Sequence, residues 1–118
     1  MEKILVVDDA DFVRMRYVNS LKNGGYDVEE AKNGAEAIEK YKAERPDGVL
    51  LDINMPVMDG LVTLHEIMNL DPTARVAMVT CIGSQSVVLT ALKTGARDFV
   101  TKPTDNDGIL HTVQKLLN

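Results

Sequence analysis

The chain has 118 residues, with 13 Lys and Arg against 18 Asp and Glu for a formal charge of −5. At 45% hydrophobic and 26% charged it is too apolar for a disordered acidic tail, and its length suits one domain with a packed core. Without a run of Lys or Arg it lacks the clustered cations that phosphate backbones require, so nucleic acid is not an expected partner. Its single cysteine, Cys81, excludes an internal disulfide, and neither Cys81 nor the isolated His65 and His111 offers metal-ligand spacing. No stretch approaches a bilayer span, so neither targeting nor membrane insertion is expected, and a reducing cytoplasm fits.

In chain order, Ile4 to Val7 predicts a first strand, and Phe12, Met15, Val18 and Leu21 recur at helical spacing after it. Tyr26 to Glu30 predicts a shorter, mixed strand, followed by a helix through Ala35, Ile38 and Tyr41. Gly48 to Leu51 is a third strand, and Leu61, Leu64, Ile67 and Met68 mark a third helix. Val76 to Val79 and then Asp98 to Thr101 complete five strands. Val88, Ala91 and Leu92 lie on the fourth helix, and Ile109, Leu110, Val113, Leu116 and Leu117 on the fifth. Asn33, Asp59 and Ser84 are candidate helix N-caps, Gly24 and Gly95 candidate stops, and Pro46, Pro72 and Pro103 fall between elements. Strands one, three and four are unbroken apolar runs, as in a parallel sheet covered by helices on both faces. The pattern predicts an α/β fold, a (βα)5 doubly wound five-stranded parallel sheet, filling one domain over residues 1–118. With no linker, repeat or second domain expected, any output would pass through another protein.

Ligands of such sheets sit beyond the carboxyl ends of the strands. There Asp8 and Asp9 follow strand one, Asp52 follows strand three, Thr80 ends strand four and Lys102 ends strand five. Three clustered carboxylates raise one another's pKa unless a cation compensates them. Oxygen ligands without His or Cys select Mg²⁺, with Mn²⁺ as the substitute. A carboxylate nucleophile, a metal, a hydroxyl and a Lys are the parts of a phosphoryl-transfer site.

Taken singly, these residues have plainer roles. Asp8 and Asp9 could cap a helix, Asp52 could end a strand before a Met55-Pro56 turn, Thr80 suits any strand, and Phe99 suits any core. Only the set carries the functional argument. His65 and His111 read as surface residues of helices three and five, and the 6 Met residues as gap fillers or, for Met55 and Met58, neighbours of the site.

Asp8-Asp9, Asp52, Thr80 and Lys102-Pro103 at four strand ends resemble the response-regulator receiver family, as do Asn54-Met-Pro56, Asp59-Gly60 and Phe99 four residues before Pro103. The resemblance spans the chain. It is nearest to the family's stand-alone chemotaxis members through its length, the Asp9-Ala-Asp-Phe-Val-Arg14 start of helix one, and Ile82-Gly-Ser-Gln85. It implies a flavodoxin-like sheet in the order 2-1-3-4-5. It further implies Asp52 as phosphoacceptor from a histidine kinase or a small phosphodonor. Mg²⁺ would be held by Asp9, Asp52 and the Asn54 backbone carbonyl, with Asp8 acting through water. Lys102 and Thr80 would contact phosphoryl oxygens, Thr80 and Phe99 would form the switch, and the Lys102-Pro103 peptide would be cis. The implied protein is a cytoplasmic monomer that alters its surface to bind a downstream protein such as a motor switch protein. It would be no enzyme beyond its own phosphorylation and dephosphorylation. The target surface would include Thr90, Lys93, Val100, His111 and Lys115, and the kinase would touch helix one near Phe12, Val13 and Arg16.

Two positions depart from that pattern. Cys81 is bulkier than the small residue usual after the threonine, which would narrow access. Ile82 is apolar where some members position the hydrolytic water, which implies slow phosphoryl loss. A haloacid-dehalogenase type phosphotransferase needs a second Asp where Asn54 stands, and a flavin or nucleotide carrier needs a Gly-rich loop where Asp8-Asp-Ala-Asp11 stands. A phosphorelay intermediate, or a receiver serving another output, keeps the fold and changes only the circuit.

Overall fold

The computed structural model describes residues 1–53, 55, 58–81, 85–102 and 105–118, with Cys81 described by its backbone alone. Asn54, Pro56, Ile82, Ser84 and Pro103, and with them the predicted metal-binding carbonyl, the turn, the helix-four cap and the cis peptide, lie outside the described residues. The strands are β1 (Lys3–Val7), β2 (Asp27–Ala31), β3 (Gly48–Asp52), β4 (Val76–Cys81) and β5 (Asp98–Lys102). They alternate with α1 (Asp11–Asn23), α2 (Gly34–Glu44), α3 (Gly60–Leu70), α4 (Gln85–Thr94) and α5 (Asn106–Leu117).

All pairings are parallel, and the strand order is β2-β1-β3-β4-β5. The fold is therefore the doubly wound flavodoxin-like sheet expected. Alternation along the strands divides the core in two. Leu5, Val7, Val49, Leu51, Val76 and Met78 face Ala37 and Tyr41 of α2, Leu64 and Ile67 of α3, and Ala91 of α4. Ile4, Val6, Leu50, Ala77 and Val79 face Tyr17, Val18 and Leu21 of α1 with Ile109, Val113 and Leu116 of α5. Each fully buried aliphatic side chain contributes about 1.5–3 kcal/mol, so the three central strands anchor the sheet whose ends carry the site.

Helical spacing located the helices but misplaced parts of their buried faces. Phe12 and Met15 are 70% and 51% exposed, and α1 meets the sheet through Tyr17, Val18 and Leu21 instead. Ala35 is exposed while Ala37 is buried, and on α4 Leu92 is 39% exposed while the half-buried Val87 packs against the core. Asn33 and Asp59 cap α2 and α3, accepting from Glu36 N (2.8 Å) and Val62 N (3.0 Å). Asp105, not anticipated as a cap, does the same for α5 from Gly108 N at 2.7 Å. Gly95 follows α4 at φ 129°, a conformation that L side chains rarely adopt, and a Cβ there would also stand 2.8 Å from Met68 Cε.

Candidate functional site

The carboxyl ends of the strands bring the predicted residues to one edge. Asp52 is the last residue of β3, paired with Val79, and Thr80 follows Val79 on β4, paired with Thr101. Lys102 ends β5 opposite Cys81. Beyond β1, Asp8 prolongs the contact with β2 by donating its N–H to Ala31 O at 3.1 Å.

Asp8 and Asp52 are each 1% exposed, whereas Asp9 is open to solvent. The three each offer a carboxylate oxygen within 4.8 Å of the others. Lys102 Nζ lies 3.1 Å from Asp52 Oδ1 and 3.4 Å from Asp8 Oδ2. Burial alone would lower the Lys102 pKa, but the hydrogen bond it donates to Asp52 and the charges of both carboxylates outweigh it, so the ammonium is held above its ordinary range. It is charged at neutral pH.

Of the three carboxylates, two, those of Asp8 and Asp52, share the Lys102 ammonium. Asp8 Oδ1 accepts from Ala10 N at 2.9 Å, while Oδ2 has the ion pair to Lys102 without the alignment of a hydrogen bond. A buried carboxylate oxygen with no donor among the described residues, beside two further carboxylates, is a donor set that fits a hard divalent cation. The capping alternative fails for Asp8 and Asp9: α1 has Ala10 at its N-cap and no side-chain cap.

Thr80 is buried, and Phe99 on β5, paired with Met78, is 43% exposed, so it is no ordinary core aromatic. Gly60 at the start of α3 donates its N–H to Ile53 O at 2.8 Å, and a Cβ at this position would collide with the Asp52 carbonyl oxygen and come within 2.6 Å of Ile53 Cα. The backbone behind Asp52 thus requires glycine there.

Two neighbours went unread in the sequence. The Tyr17 phenol is pushed up by burial, with the charges of Lys102, Asp8 and Asp52 within reach of it. The Arg14 guanidinium lies behind the β1–α1 loop and donates to the Asp8 carbonyl oxygen at 2.8 Å. Tyr17 stands outside the Phe12, Met15, Val18 and Leu21 spacing and Arg14 figures only in the Asp9–Arg14 run, so neither position signals proximity to the strand ends.

A parallel sheet that gathers carboxylates, a lysine and a hydroxyl at its carboxyl edge has the parts of a phosphoryl-transfer site. Residues 4–114 match the response regulator receiver domain family, and the chain belongs to it, as a component of two-component signalling. It is 47% identical over 117 residues to the chemotaxis protein CheY of Bacillus subtilis, covering 98% of each chain. It is 48% identical over 111 residues to a protein-glutamate methylesterase/protein-glutamine glutaminase of Archaeoglobus fulgidus, covering 92% of this chain and 31% of that protein. Among solved structures it superposes on Vibrio cholerae CheY4 with a TM-score of 0.95 at 31% identity, covering 99% of each chain. Receiver domains are signalling switches that take a phosphodonor kinase and a downstream target and bind Mg²⁺ through acidic residues; here Asp8, Asp9 and Asp52 could hold a metal. No described helix is long and apolar enough to cross a membrane.

Proposed function

We propose that residues 1–118 act as a single-domain response regulator, cytoplasmic and monomeric, whose Asp52 accepts a phosphoryl group from a CheA-like histidine kinase. The observation that carries this is Asp52 itself: 1% exposed, 3.1 Å from Lys102 Nζ, and in one group with Asp8 and Asp9. Asp9 and Asp52 would hold Mg²⁺ directly, joined by the Asn54 backbone carbonyl, with Asp8 acting mainly through water. A bound Mg²⁺ supplies neutralisation of the charge on the transferring phosphoryl oxygens.

An Asp52 carboxylate oxygen forms the new bond to phosphorus as the bond from phosphorus to the donor nitrogen breaks. The leaving imidazole, or amine of a small donor, takes up a proton. Lys102, already charged and aimed at Asp52, pairs with one phosphoryl oxygen, and the Thr80 hydroxyl donates to another. Drawing Thr80 inward vacates space for Phe99, now half out of the core, and that exchange changes the α4–β5–α5 surface. The changed surface is the output, and the chain catalyses only its own phosphorylation and dephosphorylation.

Identity with CheY proteins over nearly the whole chain supports a role in chemotaxis, with a motor switch protein as target. The 48% identity to part of a methylesterase supports, as the second reading, a receiver in another circuit. Intact mass after incubation with phosphoramidate and Mg²⁺ tests the chemistry. One labile phosphoryl adduct is expected on the wild type and none on Asp52→Asn or with chelator; an adduct that survives Asp52→Asn overturns the assignment.

A further inference from the structure

The loop that carries Asp8 and Asp9 has few restraints of its own. Among the described contacts, Asp8 N reaches Ala31 O, Asp8 Oδ1 accepts from Ala10 N, Asp8 Oδ2 pairs with Lys102, and Ala10 O accepts from Arg14 N, but none of these fixes the peptide between Asp8 and Asp9 through its carbonyl. Helix α1 then begins at Asp11 with no side-chain cap. What closes the loop from behind is Arg14. Its side chain is only 14% exposed, and it spends three nitrogens on three different segments. Nη1 donates to the Asp8 carbonyl oxygen at 2.8 Å, Nη2 to Asp11 Oδ1 at 2.7 Å, and Nε to Glu30 Oε1 on β2 at 3.0 Å. The Asp8 carbonyl belongs to the peptide plane shared with Asp9. Gripping that oxygen sets the plane, and the plane sets the direction in which the Asp9 carboxylate leaves the backbone.

We infer that Arg14, anchored to β2 through Glu30, is a positioning residue for the carboxylate group, holding the Asp8–Asp9 peptide in the orientation that lets Asp9 join Asp8 and Asp52 around a divalent cation. The inference rests on the metal-dependent function proposed above. Lysine could not replace it, since a single ammonium cannot bridge a carbonyl and two carboxylates on separate segments with the fixed fork of a guanidinium.

Electrostatics and positioning predict opposite signs. Removing Arg14 takes away a cation and leaves Asp11 and Glu30 without it, which by charge alone would draw Mg²⁺ in more tightly. Those two carboxylates are 84% and 48% exposed, so screening keeps that gain small. Loss of a residue that orients a metal ligand costs roughly tenfold or more in affinity.

The test is Mg²⁺ titration by calorimetry of the unphosphorylated full chain, for wild type, Arg14→Ala, Arg14→Lys and Glu30→Gln, with melting temperatures in chelator and amide hydrogen exchange at Ala10. Expected are Mg²⁺ binding weakened about tenfold in Arg14→Ala, little rescue by Arg14→Lys, a smaller loss in Glu30→Gln, and faster exchange at Ala10 in the metal-free Arg14 variants. Should Arg14→Ala fail to fold, Arg14→Lys, which keeps the positive charge and loses the guanidinium fork, decides the question. Equal or tighter Mg²⁺ binding in the folded variants overturns the positioning role while leaving the proposed function intact. Absence of Mg²⁺ binding by the wild type overturns both.

Discussion

At the scale of single residues, charge is placed twice in this chain with different purposes. At the functional edge Lys102 serves two buried carboxylates. At the opposite end of the sheet Asp71 is served chiefly by neutral donors, the Thr73 hydroxyl first, then the Tyr41 phenol and the Thr73 N–H, with Arg45 3.9 Å away, and together they hold its carboxyl below the usual 3.8. The Tyr41 phenol is correspondingly pushed up, by burial and then by its bond to Asp71. A carboxyl depressed by folding stabilises above its unfolded pKa, and that contribution is lost as pH falls through the folded value. Asp71→Asn should therefore melt below wild type by a constant margin at neutral pH, and the margin should close as pH drops below about 3.8. Thermal melts across that range check it; a margin independent of pH would assign the effect to packing. Arg14 shows what residue-by-residue reading misses, because its bond to Glu30 joins it to a strand that the β1–β2 pairing brings alongside, while its bonds to Asp8 and Asp11 stay within the loop and helix.

At the scale of elements, the β3–α3 junction is the tightest constraint on the site. Gly60 approaches backbone rather than a flexible side chain, so Gly60→Ala must shift either α3 or the strand end that carries Asp52. We expect a loss of about 2 kcal/mol in denaturant unfolding, together with weaker Mg²⁺ binding; an unchanged midpoint would show that the junction yields without strain. Helix α1 gives the opposite case. Phe12, three residues after Asp9, is 70% exposed, so Phe12→Ala should alter stability by less than about 0.5 kcal/mol. It should slow phosphotransfer from the kinase while leaving phosphorylation by phosphoramidate unchanged. Equal slowing with both donors would contradict a docking role for that face. Periodicity found each helix because apolar residues recur every three or four positions in all of them. It could not tell which apolar residues meet the sheet, since Phe12 and Met15 share the spacing of Val18 and Leu21 yet lie on the side turned to solvent.

At the scale of the whole molecule, the site was legible because parallel strands deliver their carboxyl ends to one edge. Asp8, Asp9, Asp52 and Thr80 follow or end short apolar runs and Lys102 ends the mixed fifth strand, and that position in the sequence brings the three carboxylates and Lys102 together in space. The strand order came from the family resemblance, as no local signal ranks five strands, and the pairing bears it out. What escaped reading was non-local: the exposure of Phe99 on a sheet-edge strand, the bridging by Arg14, and the closeness of Tyr17 to the charged group. The most direct measurement is borohydride trapping of the phosphorylated chain, which reduces an aspartyl phosphate to homoserine, followed by peptide mass mapping. Homoserine at position 52 alone, formed only with Mg²⁺ present, is the predicted result; homoserine at Asp8 or Asp9, or a phosphoryl group retained on another side chain, would contradict the account.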